Sequence, residues 1–112
     1  MKIALAQQNY HIGNFEANTR KILDAIAEAR MQQADLVVFS ELCVCGYPPR
    51  DFLEFDDFIA KCRKAVDEIA AATLGIGVVI GVPERNPVKA GKDLFNSAML
   101  LHNGQIEAVV HK

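Results

Sequence analysis

A single glutamate, Glu41, follows the unbroken apolar run Leu36–Phe39 and opens the segment ELCVCGYPPRDFL. Charged side chains rarely follow a buried strand directly unless they are paired. Glu41 is therefore either a member of an ion pair or a loop cap, or a general base held by rigid strand geometry. Lys112 ends the last apolar strand and is the candidate cation beside Glu41, although a lysine at such a position is more often solvated. The chemistry that this pair suggests is proton transfer with stabilisation of negative charge.

Two cysteines, Cys43 and Cys45, lie close to Glu41 and raise the question of metal or redox chemistry. No second cysteine or histidine pair lies near them to complete a metal site. Cysteines of intracellular proteins are mostly small buried hydrophobes, and Cys62 falls on the apolar stripe of a predicted helix. We therefore interpret all three cysteines as structural.

A serine-hydrolase site is a weak alternative, because the sequence contains no G-x-S-x-G nucleophile elbow. The sequence does not exclude a Ser-His-Asp triad that is assembled from residues far apart in the chain. The three histidines show no helical i,i+4 pairing, and each is interpreted as a loop or strand-end residue: His11, His102 and His111. Gly75-x-Gly77-x-x-x-Gly81 does not have the spacing of a dinucleotide fingerprint, and neither a Walker-type loop nor zinc-ligand spacing is present. We do not expect this segment to bind a nucleotide or a metal.

Hydrophobic periodicity predicts the elements that must position Glu41. Apolar residues recur at near-helical spacing from Phe15, which predicts a helix of about 18 residues capped at Asn14. A second apolar stripe predicts a helix from about residue 56 to residue 73. The predicted strands are residues 2–8, 36–39, 76–82 (ended by Pro83), 96–101 and 105–111, with a polar loop over 86–91. Asn103-Gly104 predicts a type I′ hairpin between the last two strands. In the final strand we expect Ile106, Ala108 and Val110 to share one face.

The order β-α-β-α-β followed by a β-hairpin predicts an α/β domain with helices packed on a partly parallel sheet. Ligands of such folds usually bind at the carboxyl ends of the strands. Glu41 follows the carboxyl end of the second strand, so it lies where a site is expected.

The composition excludes several classes of function. There are 12 Lys and Arg against 14 Asp and Glu, a formal net charge of −2, with no block of like charges. A face for nucleic acid or an anionic membrane is therefore not expected. No apolar run approaches the roughly 20 residues that span a bilayer, and the start, MKIALAQQNY, is not typical of a secretory signal. Three cysteines do not form a disulfide framework. We expect a cytoplasmic protein.

Four segments together resemble a known family: MKIALAQQNYHIGNFEANTRKI, VVFSELCVCGYPPRDFL, GVVIGVPE and LFNSAMLLHNGQIEAVVHK. They are similar to the N-terminal glutaminase domain of glutamine-dependent NAD+ synthetases, a branch of the nitrilase (carbon–nitrogen hydrolase) superfamily. The first and third segments indicate only the superfamily. GYPPRDFL directly after the FSEL glutamate is narrower and indicates the synthetase branch.

This resemblance implies a nitrilase-type α-β-β-α sandwich, of which residues 1–112 would form the N-terminal part. It also implies a Glu-Lys-Cys triad in which Glu41 is the general base and Lys112 stabilises the oxyanion. Tyr47 would line the glutamine pocket. The family's nucleophilic cysteine lies well beyond the lysine, so none of the three cysteines here matches it, and we expect this chain alone to be inactive.

The resemblance implies L-glutamine as the substrate and no cofactor for its hydrolysis. ATP and Mg²⁺ would belong to a synthetase domain of the same parent chain, which is absent from these residues. It also implies assembly into a homo-oligomer. Two alternatives stay open: another amidase or carbamoylase of the superfamily, and a non-catalytic α/β fragment. A sheet that is partly uncovered would give self-association or marginal stability.

Overall fold

The computed structural model describes residues 1–49, 52, 55–86 and 94–111. These residues form five strands and two helices in the predicted order. The elements are β1 (Ile3–Ala6), α1 (Phe15–Met31), β2 (Leu36–Phe39), α2 (Asp56–Ala70), β3 (Gly77–Arg85), β4 (Leu94–His102) and β5 (Gln105–His111). In the part of the chain that the structure describes, neither helix is long and apolar enough to cross a membrane. The predicted α/β class is confirmed.

The strands form one mixed sheet in the order β1-β2-β3-β4-β5. β1, β2 and β3 run parallel, whereas β3, β4 and β5 are antiparallel neighbours. The two helices contact each other, and each also contacts the sheet, α1 at β2 and α2 at β3. The core between the layers is filled by alternate strand residues and by one stripe of each helix, chiefly Ile22, Ile26, Val37, Val66, Ile69, Val78, Ile80, Met99 and Leu101.

The other face of the sheet carries apolar side chains that the described residues do not cover. Leu5 on β1 is 73% exposed and Val110 on β5 is 68% exposed, although both belong to strands. In a two-layer domain a strand residue that faces away from the helices meets solvent, so polar residues are usual there. The resemblance predicts an α-β-β-α sandwich. In such a sandwich a second sheet would cover this apolar face.

Both helices begin where the sequence predicts. The Asn14 side chain caps α1 by accepting a hydrogen bond from the Ala17 amide at 3.1 Å, as expected of an N-cap. α2 ends at Ala70, three residues before the predicted end. Thr73 explains the difference: its hydroxyl donates to the Ala70 carbonyl at 2.7 Å and accepts from the Gly104 amide at 3.1 Å. These bonds connect the end of α2 to the β4–β5 turn, so the chain leaves the helix there.

Pro83 does not end β3, which corrects the predicted boundary. The strand continues to Arg85, and Pro83 pairs with Asn96 of β4. β2 pairs with β3 only as far as Val79, so beyond that residue β4 is the only strand paired with β3 among the described residues. A proline has no backbone N–H and cannot donate a hydrogen bond to a neighbouring strand. It is tolerated where one side of its strand is not paired with another strand.

The β4–β5 hairpin turns at Asn103 and Gly104, whose φ values of 52° and 83° confirm the predicted turn chemistry. The predicted alternation along β5 is wrong. The register shifts between Leu100, which pairs with Ala108, and Leu101, which pairs with Ile106. The extra residue of this bulge reverses the faces. Ile106 packs against the core, whereas Ala108 and Val110 are exposed.

Candidate active site

Glu41 lies two residues past the end of β2, where the chain turns back over the sheet. Its carboxylate does not lie alone in solvent. The Asn96 side-chain amide donates a hydrogen bond to Glu41 Oε1, and the two residues are 55 positions apart in the chain. Asn96 belongs to β4, two strands away from β2, so the fold places an amide donor beside the candidate base.

Gly81 of β3 explains how Glu41 comes so close to β4. An ideal Cβ at Gly81 would lie 2.4 Å from the Leu42 nitrogen and 3.1 Å from Glu41 Cα. The backbone after β2 therefore rests directly on the β3 backbone. The Val44 amide donates to the Gly81 carbonyl at 3.2 Å, which fixes this crossing. A side chain at position 81 would lift Glu41 away from the sheet.

A pocket of about 430 Å³ opens beside the Glu41 carboxylate. It lies at the carboxyl end of β2, where the α/β topology predicts a site. The walls come from four strands or their ends: Phe39, Ser40, Glu41, Val79, Ile80, Gly81, Asn96, Ser97, Ala98, Val110 and His111. A groove of about 500 Å³ between α1 and α2 lies on the helical layer and does not include Glu41.

Lys112 lies outside the described residues, so its predicted approach to Glu41 stays a prediction. Its neighbour His111 is described and lines the same pocket as Glu41. The His111 ring stacks on Phe95 with centroids 4.2 Å apart. Ser97 Oγ and His111 Nδ1 share a hydrogen bond of 2.7 Å. The end of β5 is therefore anchored to β4 beside the pocket.

Ser97 and His111 do not form a hydrolase triad. Glu84 carries a carboxylate near His111, with Oε1 3.9 Å from Nδ1. This is the same ring nitrogen that bonds Ser97, whereas a catalytic triad uses one nitrogen for the acid and the other for the serine. Ser97 is also 2% exposed. This arrangement is a structural contact between strands.

Tyr47 lies in the loop after β2, as expected, and is 64% exposed. Its peptide bond with Pro48 is cis. Tyr47 is not among the described residues that line the pocket of Glu41. Gly46 anchors this loop, since an ideal Cβ there would lie 2.7 Å from the Ile12 nitrogen. The loop therefore packs against the segment before α1, and the role of Tyr47 in substrate binding stays a prediction.

The three cysteines are completely buried. Cys43 Sγ accepts a hydrogen bond from the Gly81 amide at 3.5 Å, and burial raises the pKa of the Cys43 thiol to about 12. A hydrogen bond with Cys45, together with burial, raises the pKa of the Cys62 thiol. Because nucleophilic cysteines react as thiolates, the raised pKa values of Cys43 and Cys62 suit packing. The hydrogen bond with Cys62 lowers the pKa of the Cys45 thiol, but this side chain is completely buried. No group of three His, Cys, Asp or Glu among the described residues could hold a metal.

Asn96 and His111 are the pocket residues whose contacts the sequence did not reveal. The sequence predicts Asn96 only as the start of a strand and His111 only as a loop or strand-end residue. A single sequence carries no signal for either contact, since each depends on the register of β4 with its neighbours. The glycine at position 81, inside an apolar strand, is the one local signal of a close backbone approach.

The whole chain is similar to curated glutamine-dependent NAD(+) synthetases. The glutamine-dependent NAD(+) synthetase of Xanthomonas campestris pv. campestris strain 8004 is 42% identical over 113 residues, covering 100% of this chain and 20% of that protein. The enzyme of the same description from Synechocystis is 37% identical and covers 98% of this chain. The chain thus spans about a fifth of the length of these curated relatives.

Solved structures agree with this grouping. A glutamine-dependent NAD(+) synthetase from Cytophaga hutchinsonii superimposes with a TM-score of 0.90 at 32% identity, over 98% of this chain and 18% of that one. An amidase from Nesterenkonia superimposes with a TM-score of 0.81 at 28% identity, over 100% of this chain and 42% of that one. A structure of the E41Q mutant of the amidase from Nesterenkonia sp. AN1 shows the result of Michael addition of acrylamide at the active-site cysteine of that enzyme. Residues 2–112 also match the profile described as carbon-nitrogen hydrolase, and this chain belongs to that family.

Proposed function

We propose that residues 1–112 are the N-terminal part of the glutaminase domain of a glutamine-dependent NAD+ synthetase. The observation that carries the proposal is the similarity along the whole chain to synthetases, one of them 42% identical, in a fold that places Glu41 beside a pocket. The domain would hydrolyse the side-chain amide of L-glutamine. The ammonia would serve the ATP-dependent conversion of nicotinic acid adenine dinucleotide to NAD+.

Glu41 acts in this proposal as the general base. It takes the proton of a cysteine thiol as the sulfur attacks the amide carbon, and it then gives this proton to the amide nitrogen as the carbon–nitrogen bond breaks. Ammonia departs, the glutamyl thioester remains, and Glu41 is ionised again. Glu41 next activates the water that cleaves the thioester. Lys112 stabilises the oxyanion of each tetrahedral intermediate, and Tyr47 contributes to the glutamine pocket. The nucleophile comes from outside these residues, in keeping with the active-site cysteine of the similar amidase.

Glutamine hydrolysis needs no cofactor in this proposal. ATP and Mg²⁺ would act in a synthetase domain elsewhere in the parent protein, which the length of the relatives accommodates. The described residues do not fit these groups, because they include neither a phosphate-binding glycine loop nor a metal-ligand cluster. No step of the ATP-dependent reaction is assigned to this chain.

The exposed apolar face of the sheet supports a larger assembly. Ile3, Leu5 and Val110 are 52%, 73% and 68% exposed on strands, and large apolar surfaces of this kind mark protein contacts. We assign this face to further parts of the parent domain and expect the parent protein to be a homo-oligomer. The unpaired, buried cysteines are consistent with a reducing, cytoplasmic compartment.

A second candidate is an amidase of the same family that acts on another small amide. The match to the Nesterenkonia amidase over 100% of this chain favours it. The two candidates differ in one reaction, because only a synthetase forms NAD+ from nicotinic acid adenine dinucleotide, ATP and ammonia.

The test uses the whole protein that contains these residues. Glu41→Gln keeps the shape of the side chain and removes the base, so glutamine hydrolysis should fall by about 10²- to 10⁴-fold. NAD+ formation from free ammonia should change by less than about twofold, because ammonia bypasses the glutaminase. Glu107→Gln removes an exposed carboxylate of β5 and is the matched control, with wild-type rates expected.

Two results would contradict the proposal. If Glu41→Gln hydrolyses glutamine at a rate within about threefold of the wild-type rate, Glu41 is not the general base. Hydrolysis of a small amide by the wild type, with no NAD+ formed from ammonia and ATP, would favour the amidase instead.

A further inference from the structure

Asn96 lies on β4 and has contacts with β3 and with the segment that follows β2. It pairs with Pro83 of β3, on the sheet face where Gly81 pairs with Ala98. Its side-chain amide donates to Glu41 Oε1, although Glu41 belongs to the segment after β2. β3 lies between β2 and β4 in the sheet, so the hydrogen bond spans the width of β3.

The residues beneath this hydrogen bond are small. Gly81 has no side chain, and an ideal Cβ there would lie 2.4 Å from the Leu42 nitrogen. Its partner Ala98 carries only a methyl group. Larger side chains at these two positions would fill the space that Glu41 crosses to reach Asn96. The hydrogen bond between Asn96 and Glu41 therefore depends on the small residues of β3 and β4 beneath it as well as on Asn96 itself.

The amide of asparagine suits a residue that holds a base. It donates a hydrogen bond and stays uncharged, so it orients a carboxylate without neutralising it. A lysine or arginine at position 96 would instead form an ion pair with Glu41. Because the hydrogen bond engages Oε1, it restricts rotation of the carboxylate beside the pocket.

We infer that Asn96 is a positioning residue of the amidase reaction: its amide holds the Glu41 carboxylate in the orientation in which it accepts the thiol proton. This inference rests on the proposed function, in which Glu41 is the base. It assigns to Asn96 no contact with the substrate. Loss of the amide should therefore lower kcat and leave KM nearly unchanged.

The test compares Asn96→Ala and Asn96→Asp in the whole protein by steady-state glutamine hydrolysis. Loss of a hydrogen bond to a charged group should lower kcat by about 10- to 100-fold in the alanine variant, with KM within about twofold. Asn96→Asp should lower kcat further, because it keeps the side-chain shape but places a second carboxylate against Glu41.

The order of the two variants distinguishes positioning from packing. If Asn96 only fills space, the isosteric aspartate should be the milder change and alanine the more harmful one. That order, or a kcat within about threefold of wild type in both variants, would overturn the inference. The aspartate variant also keeps the test valid if alanine prevents folding.

Thr73→Ala is the matched control, because it removes two hydrogen bonds of a buried side chain at the other end of β4, beside the β4–β5 turn. It should lower the unfolding temperature and leave kcat within about twofold of wild type. Glu41→Gln measured in parallel separates the two proposals. If it remains active, the proposed function fails. If it is inactive while both Asn96 variants match wild type, only the inference about Asn96 fails.

Discussion

Replacing Gly81 by alanine would place a methyl group where the segment after β2 crosses β3. The nearest atoms are backbone atoms, the Leu42 nitrogen at 2.4 Å and the Glu41 carbonyl carbon at 3.0 Å. Ordinary contacts begin at about 3.4 Å, so the segment must move by about 1 Å. Gly81 does not have a left-handed φ, so the whole cost comes from crowding.

The expected loss of stability combines two costs and one smaller gain. Overpacking of a buried site costs about 1–3 kcal/mol. The displacement also breaks or stretches the hydrogen bond from the Val44 amide to the Gly81 carbonyl, 3.2 Å long, and an unsatisfied buried group costs about 1–3 kcal/mol. Alanine lowers the entropy of the unfolded chain, which offsets about 0.4–1 kcal/mol. We expect Gly81→Ala to lower the free energy of unfolding by about 3 kcal/mol, the middle of a range of about 1–5.6 kcal/mol.

Urea unfolding followed by circular dichroism measures this loss, and the midpoint should fall by about 1 M or more. Gly77→Ala is the matched control, because it changes the same strand and the same sheet face. Its new Cβ would meet the flexible Leu36 side chain at 3.0 Å and no backbone atom nearer than 3.6 Å. We expect its midpoint to stay within about 0.3 M of wild type. Equal midpoints for the two variants would refute the close approach at Gly81.

Two further predictions concern stability. Burial raises the pKa of Cys43 from 9.0 to about 12, so this thiol stabilises the folded chain below pH 9, and the contribution is lost as the pH rises from about 9 to 12. The urea midpoint should therefore fall more between about pH 8 and pH 10.5 in the wild type than in Cys43→Ala, and equal falls would contradict the pKa argument. Gly104→Ala adds a Cβ that meets nothing within 4 Å, but φ is 83°. It should cost about 1–2 kcal/mol from backbone strain alone, and an unchanged urea midpoint would contradict that assignment.

The sequence was sufficient for the elements that local interactions determine. The cap at Asn14, the apolar stripes of both helices and the Asn103-Gly104 turn depend on residues within a few positions of each other. The apolar run Leu36–Phe39 is β2 with the same bounds as predicted. Glu41 could be selected as a candidate because an ionised side chain directly after a buried strand needs a partner or a function.

The two wrong predictions about strands have a common cause, which is pairing between strands. Pro83 reads as a strand end, but it is tolerated because β2 stops pairing with β3 at Val79. The face of β5 reverses at a bulge that is defined only by its register against β4. A local pattern carries no information about where a partner strand stops or shifts.

Amino-acid types and spacing alone determined the order of elements, the α/β class and the choice of Glu41. The catalytic roles of Glu41 and Lys112 and the pocket role of Tyr47 remain predictions. Tertiary structure alone decided what lies beside Glu41: a glycine that lets its backbone rest on β3 and an asparagine on β4 that bonds its carboxylate. The physical reason is distance along the chain. Residues 55 positions apart meet only after three strands have aligned, and the free energy that aligns them comes from burying the core rather than from the site itself.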